Sequence, residues 1–223
     1  MTSEALDRRE NPPPTISSIQ IGPAEARLVE RGDGRPVIVF GAGFADSLAH
    51  RALASRFRVV VCETTDPDAR AVGEAAAAWT EGQGLEQIGL IGLGDRAAAA
   101  IWCAAKCGEA ATSALVLVSP RGLPAGGMEP DEARNDGADA LARLLRELPV
   151  PKAIVVGTED PQVPRHGATR LKKGFSKANV ILLYGAGAEP SAERPDAFAS
   201  VVGDFLDRQR RFRVATESVA VQP

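Results

Sequence analysis

The stretch Ile88-Gly89-Leu90-Ile91-Gly92-Leu93-Gly94-Asp95-Arg96-Ala97-Ala98-Ala99-Ala100-Ile101-Trp102 constrains this chain more than any other. An apolar run short enough for a buried strand passes through a glycine turn straight into an alanine-rich amphipathic helix. A strand that is apolar on both faces belongs inside a sheet covered on both sides. Its neighbours in sequence repeat the pattern, so the expectation is a mostly parallel sheet with alternating helices.

The pattern runs as follows. Opening strands are expected at Thr15 to Ile21 and Glu25 to Glu30, joined around Gly22-Pro23, and a third at Pro36 to Phe40 ends in Gly41-Ala42-Gly43-Phe44. A helix from about Asp46 to Ser55, a strand from Arg58 to Glu63 and a helix from Ala69 to Thr80 lead into the central stretch, whose helix continues to about Lys106. Beyond it come a strand at Ala114 to Ser119, a helix at Asp131 to Leu148, strands at Lys152 to Gly157 and Asn179 to Tyr184, and a short helix near Thr169 to Phe175 between them. Pro195 to Arg211 closes the chain as an amphipathic helix with Phe198, Val201, Val202, Phe205 and Leu206 on one face. The charged, proline-rich residues 1–14 and the tail 214–223 lack apolar period and are expected to be disordered, leaving one domain over 15–213.

With 26 Lys and Arg against 29 Asp and Glu, no long-range field recruits nucleic acid or an anionic membrane. No leader opens at Met1 and no apolar run is long enough to span a bilayer, which points to a cytoplasmic protein. Cys62, Cys103 and Cys107 read as small buried hydrophobes, since two thiols one helical turn apart make no metal site without further ligands. No cofactor or metal is called for. Trp79 and Trp102 read as packing residues, and Arg170 with Lys172 and Lys173, like the group Arg208, Arg210, Arg211 and Arg213, as solvated charge.

Three motifs in order carry a resemblance to the α/β-hydrolase superfamily, spanning about Thr15 to Arg211. Gly92-Leu93-Gly94 is similar to the nucleophile elbow, a strand, sharp turn and helix. Gly157-Thr158-Glu159-Asp160-Pro161-Gln162-Val163-Pro164 resembles the turn after the seventh strand that supplies the family's acid, which would be Asp160. Gly185-Ala186-Gly187-Ala188-Glu189-Pro190-Ser191-Ala192-Glu193-Arg194-Pro195 resembles the loop that carries the catalytic histidine, with Gly187, Glu193, Pro195 and Phe198 where the family places them. The resemblance implies an α/β fold with about eight strands, helices on both faces and, given the short span from Pro120 to Pro149, no cap domain.

It also exposes two vacancies. Gly94 stands at the nucleophile's position and Ala188 at the histidine's. A serine hydroxyl attacks only when an imidazole takes its proton, and the carboxylate's task is to orient that imidazole. Losing the nucleophile or the base of such a triad costs about six orders of magnitude in turnover, with about three to four remaining from binding and the oxyanion hole. Asp95 lies one residue past the elbow's centre and reads as a helix-start carboxylate. Arg96 occupies a position that favours a small residue, so a widened turn is expected. Glycine tolerates the elbow's positive φ, so the fold survives the exchange. Backbone N–H groups of Ala42 and Asp95 would be the oxyanion-hole donors.

Of the two histidines, His50 falls in the first helix, facing solvent or the neighbouring layer, and His166 follows the Asp160 turn as the best improvised base. Ser119 and Ser191 belong to the same rim. The leading expectation is a pseudo-hydrolase that binds a small molecule or a protein, with oligomerisation open. The alternatives are an ester, thioester or lyase enzyme using Asp95, Asp160 and His166, and a structural subunit paired with an active homologue.

Overall fold

A computed structural model describes residues 13–122, 136–161 and 177–212. Eight strands, β1 (Thr15–Ile21), β2 (Ala24–Arg31), β3 (Arg35–Phe40), β4 (Phe57–Glu63), β5 (Ile88–Leu93), β6 (Thr112–Val118), β7 (Lys152–Gly157) and β8 (Ala178–Leu183), form one sheet in the order β1-β2-β4-β3-β5-β6-β7-β8. β2 runs antiparallel to both β1 and β4, and every pairing from β4 to β8 is parallel. The helices are α1 (Leu48–Ala54), α2 (Ala69–Gly82), α3 (Ala97–Ala111), α4 (Asp136–Glu147), α5 (Pro190–Glu193) and α6 (Pro195–Arg208).

The two-residue period of the central strands sorts their side chains between two apolar layers. Ile38, Phe40, Leu90, Leu117 and Ile154 join Ile101 and Leu145 on the α2, α3 and α4 side, whereas Val37, Val39, Ile91, Val116 and Val155 join Phe198, Phe205 and Leu206 on the α1 and α6 side. β6 and β7 are buried along their whole length, which is why they read as continuous apolar runs.

Several boundaries differ from the sequence expectation for identifiable reasons. The expected helix from Asp46 is divided: Phe44–Asp46 is a 3₁₀ turn, and Ser47, extended at φ −75° and ψ 155°, accepts from His50 N at 3.1 Å and donates to Phe44 O at 2.8 Å before α1 begins. α3 extends past Lys106 to Ala111, broken only at Gly108, with φ 73° and ψ 178°. α5 is an unforeseen turn opened by Pro190 at its first position. The expected helix near Thr169 to Phe175, and residues 131–135 ahead of α4, lie outside the described residues, as do both termini.

Cys62 and Cys103 are buried as expected, and burial pushes the Cys62 thiol up to about 11. Cys107 is only partly buried, its Sγ 3.9 Å from that of Cys103. Trp102 packs at the core's margin under the Arg70 guanidinium, 4.9 Å from the ring centre. Within the arginine group, Arg208 pairs with Asp204 and Arg210 with Glu109, while Arg213 lies outside the described residues.

Candidate functional site

The carboxyl ends of β3, β5, β6, β7 and β8 point to one side of the sheet, and the motif loops leave from there. Leu93 ends β5 in extended geometry, Gly94 turns at φ 52°, and Gly94–Arg96 winds a 3₁₀ turn into α3. The sharpness of the turn rests on Gly92: a Cβ there would lie 2.7 Å from Ala97 Cα and 2.9 Å from Ala100 Cβ. At Gly94 a Cβ would meet no atom of the described residues within 4 Å. The widening expected from Arg96 is absent. Its side chain leaves sideways, donating from Nη2 to Thr64 O at 2.9 Å and from Nη1 to Asp66 O, so it ties the end of β4 to the elbow.

Asp95 is exposed, and its carboxylate makes no hydrogen bond or ion pair with any described residue. Its N–H precedes Ala97 N, which donates to Gly94 O and closes the turn. Beside the elbow, Phe40 is in register with Gly92, and a Cβ on Gly41 would strike Leu93 Cδ1 at 2.6 Å, so the Gly41-Ala42-Gly43 segment lies against the turn. On the other flank Arg121 N donates to Gly94 O at 3.2 Å. Ser119, just past the end of β6, is held at φ 39°, is 3% exposed, and its Oγ has no hydrogen-bond partner among the described residues.

The acid and histidine loops are locked together by hydrogen bonds. Thr158 N donates to Leu183 O at 3.0 Å, Glu159 N to Ala186 O at 2.8 Å and Gly185 N to Thr158 Oγ1 at 3.0 Å. A Cβ on Gly157 would lie 2.1 Å from Ala186 O and 2.2 Å from Gly187 O, so only glycine permits this approach. Asp160, 4% exposed, ends the first loop. In the second, Glu193 accepts from Gly187 N at 2.7 Å and Glu189 N at 3.0 Å, and these two donors hold its carboxyl below the usual range. Ala188 sits half-buried inside the loop that Glu193 closes.

His50 is fully buried rather than facing solvent. A carbonyl can only accept, so Nδ1 carries the proton and donates to Ala45 O at 2.7 Å, leaving Nε2 without a hydrogen bond. Desolvation is the main reason its pKa is lowered, the hydrogen bond to Ala45 opposes it most, and the Arg31 charge lowers it further. With no exposed atom, it cannot take a proton from a ligand in the crevice. His166 lies outside the described residues. Among those described, no group of three His, Cys, Asp or Glu side chains is placed to hold a metal ion, and no helix is long and apolar enough to cross a membrane.

No family model matches the sequence, and no curated protein is significantly similar to it. Solved structures do match. E-2-(acetamidomethylene)succinate hydrolase aligns with a TM-score of 0.67 at 15% identity, covering 87% of this chain and 99% of that one. Carboxylesterase CesB from Bacillus subtilis gives 0.67 at 12% identity over 91% and 95%, and esterase RhEst1 from Rhodococcus sp. ECU1013 gives 0.65 at 16% over 86% and 98%. The chain has the α/β-hydrolase fold.

Within this α/β-hydrolase frame, Gly92 and Gly94 take up an elbow, and the Asp160 turn and the Ala188 loop lie side by side. Sequence reading missed Thr158 and Glu193 as the polar ties that shape these loops. Their signal was available in part: a carboxylate three residues after Pro190 can reach back over the turn's start, as in a capping box.

Proposed function

We propose that this α/β-hydrolase-fold chain is a pseudo-hydrolase: a single domain over 15–213, without a cap, that binds a small molecule or a protein and does not hydrolyse it. The observation that carries the reading is the elbow itself. Gly94 holds the turn at φ 52° with open space where a nucleophile's side chain would project, so nothing there can attack. The second support is Ala188, which puts a methyl group where a proton acceptor would be required. His50, the described histidine, is buried beyond reach of the crevice. Asp160 then has no imidazole at position 188 to orient, and its carboxylate serves as a vestigial acid.

The backbone donors of Ala42 and Asp95 remain candidates to hold a ligand carbonyl, because unpaired N–H groups at a helix start attract oxygen without performing chemistry. The neighbouring structures include esterases and hydrolases, so carbonyl compounds are the first ligand class to test.

The test is a pair of variants. Open space at residue 94 lets Gly94→Ser be built without a clash, and combining it with Ala188→His refills both positions. On this reading the wild type hydrolyses p-nitrophenyl esters at the buffer rate, and the double variant rises measurably above it. Wild-type activity that disappears in His166→Ala or Asp160→Asn would instead support the nonstandard enzyme using Asp95, Asp160 and His166. Copurification of an active homologue would support the structural-subunit reading.

A further inference from the structure

At the opposite edge of the sheet, where β7 and β8 begin, a cavity of about 260 Å³ lies between α4 and the sheet. Its charged wall, Lys152, opens β7, and the six residues of that strand, at about 3.3 Å each, put it about 20 Å from the start of the Asp160 loop. Leu117, Leu145, Ile154 and Ala178 give it apolar walls. Among the described residues its polar lining is cationic: Arg146, Lys152 and Lys177.

Lys152 is the most unusual of these, since lysine is almost never buried without a partner and this one is 6% exposed. Its Nζ donates to Leu148 O just past the end of α4, which uses one of three N–H donors. Neither it nor Arg146 nor Lys177 has an ion-pair partner among the described residues, and Arg210 and Lys177 press further positive charge on Lys152. Arg210 is itself paired with Glu109.

Burial, more than the neighbouring Lys177 and Arg210 charges, lowers the Lys152 pKa, and an anion bound at its Nζ would offset all three. An apolar cavity with such an ammonium at its wall, ion-paired with no described residue, suits an amphipathic anion. We propose that this cavity binds a small organic carboxylate with an apolar body, an aromatic or medium-chain acid, whose carboxylate takes the free Nζ donors of Lys152 while its body fills the space against Leu117, Leu145 and Ile154. The volume suffices: an engineered cavity of about 150 Å³ accepts benzene. Charge-assisted hydrogen bonds to Lys152 supply direction, and Arg146 and Lys177 at the mouth supply longer-range attraction. This site is separate from the elbow crevice and stands whether or not that crevice is inert.

The test is calorimetric titration of the full chain with sodium octanoate at low salt, with octan-1-ol and acetate as controls lacking the charge or the body. Octanoate is expected to bind with a submillimolar Kd, and both controls at least tenfold more weakly. The exposed pair Arg146→Gln with Lys177→Gln, which disturbs no buried contact, should weaken octanoate about threefold to tenfold through lost field alone. Lys152→Met should abolish measurable binding. Because it also removes the Leu148 tie, Leu145→Trp, which fills the cavity and leaves every cation in place, provides the independent variant and should block binding too. Methyl resonances of Leu145, Ile154 and Leu117 should shift on addition while those of Leu93 at the elbow stay fixed. No binding at about 5 mM octanoate, equal affinity for octan-1-ol, undiminished binding in Leu145→Trp, or shifts at Leu93 alone would each overturn the proposal.

Discussion

The elbow and the paired acid and histidine loops are both built around glycine, yet for different physical reasons. Gly92 and Gly157 are glycine because a neighbouring backbone occupies the space: Ala97 Cα would be 2.7 Å from a Cβ at the first, and Ala186 O 2.1 Å from one at the second. Gly94 has no atom of the described residues within 4 Å of its missing Cβ. The fold therefore requires a small residue at the first two places and only tolerates one at the third. On the proposed reading, glycine at 92 and 157 answers to packing, whereas positions 94 and 188 are those from which a hydrolase's chemistry would come, and both lack a reactive side chain.

That contrast can be broken by substitution. Gly157→Ala should be the most damaging, because both carbonyls it meets are backbone and the two loops must separate: about 3 kcal/mol or more, read as a shift in the urea midpoint. Gly92→Ala pushes the start of α3 off β5 and should cost about 2 kcal/mol in the same assay. Gly94→Ala, meeting no neighbour, should cost only the left-handed backbone penalty of about 1 kcal/mol. Equal costs at residues 92 and 94 would remove the distinction.

The smallest effect concerns the α1 side of the elbow's flank. Burial lowers the pKa of His50 below its ordinary 6.5, so the unfolded chain binds its proton more readily than the folded one. Stability from this group is complete above about pH 7 and declines as pH falls through 6.5 towards the lower folded value. His50→Leu should flatten the dependence of Tm on pH between 7 and 5, whatever its effect on Tm at pH 7.

Much of the architecture was legible because buried parallel strands write themselves as apolar runs: β3, β4, β6 and β7 fall within two residues of the expected limits. The frame of the site was legible too, since Gly92, Gly94 and Gly157 mark close or sharp turns in any sequence. What stayed hidden depends on contacts between distant segments. Arg96 was expected to widen the elbow, but its length lets it reach the Thr64 and Asp66 carbonyls instead. Ser119 gave no sign of its positive φ, nor Lys152 of its burial, because both follow from where β6 and β7 end against other chain segments. Ser47 ended one helix and began another through its side chain, a choice that a run of helix formers conceals.

The most direct measurement is turnover of p-nitrophenyl esters, from acetate to octanoate, by purified wild-type protein alongside Asp160→Asn and His166→Ala. An empty elbow predicts that all three release nitrophenol at the buffer rate. Wild-type release well above that rate, lost in either variant, would contradict it.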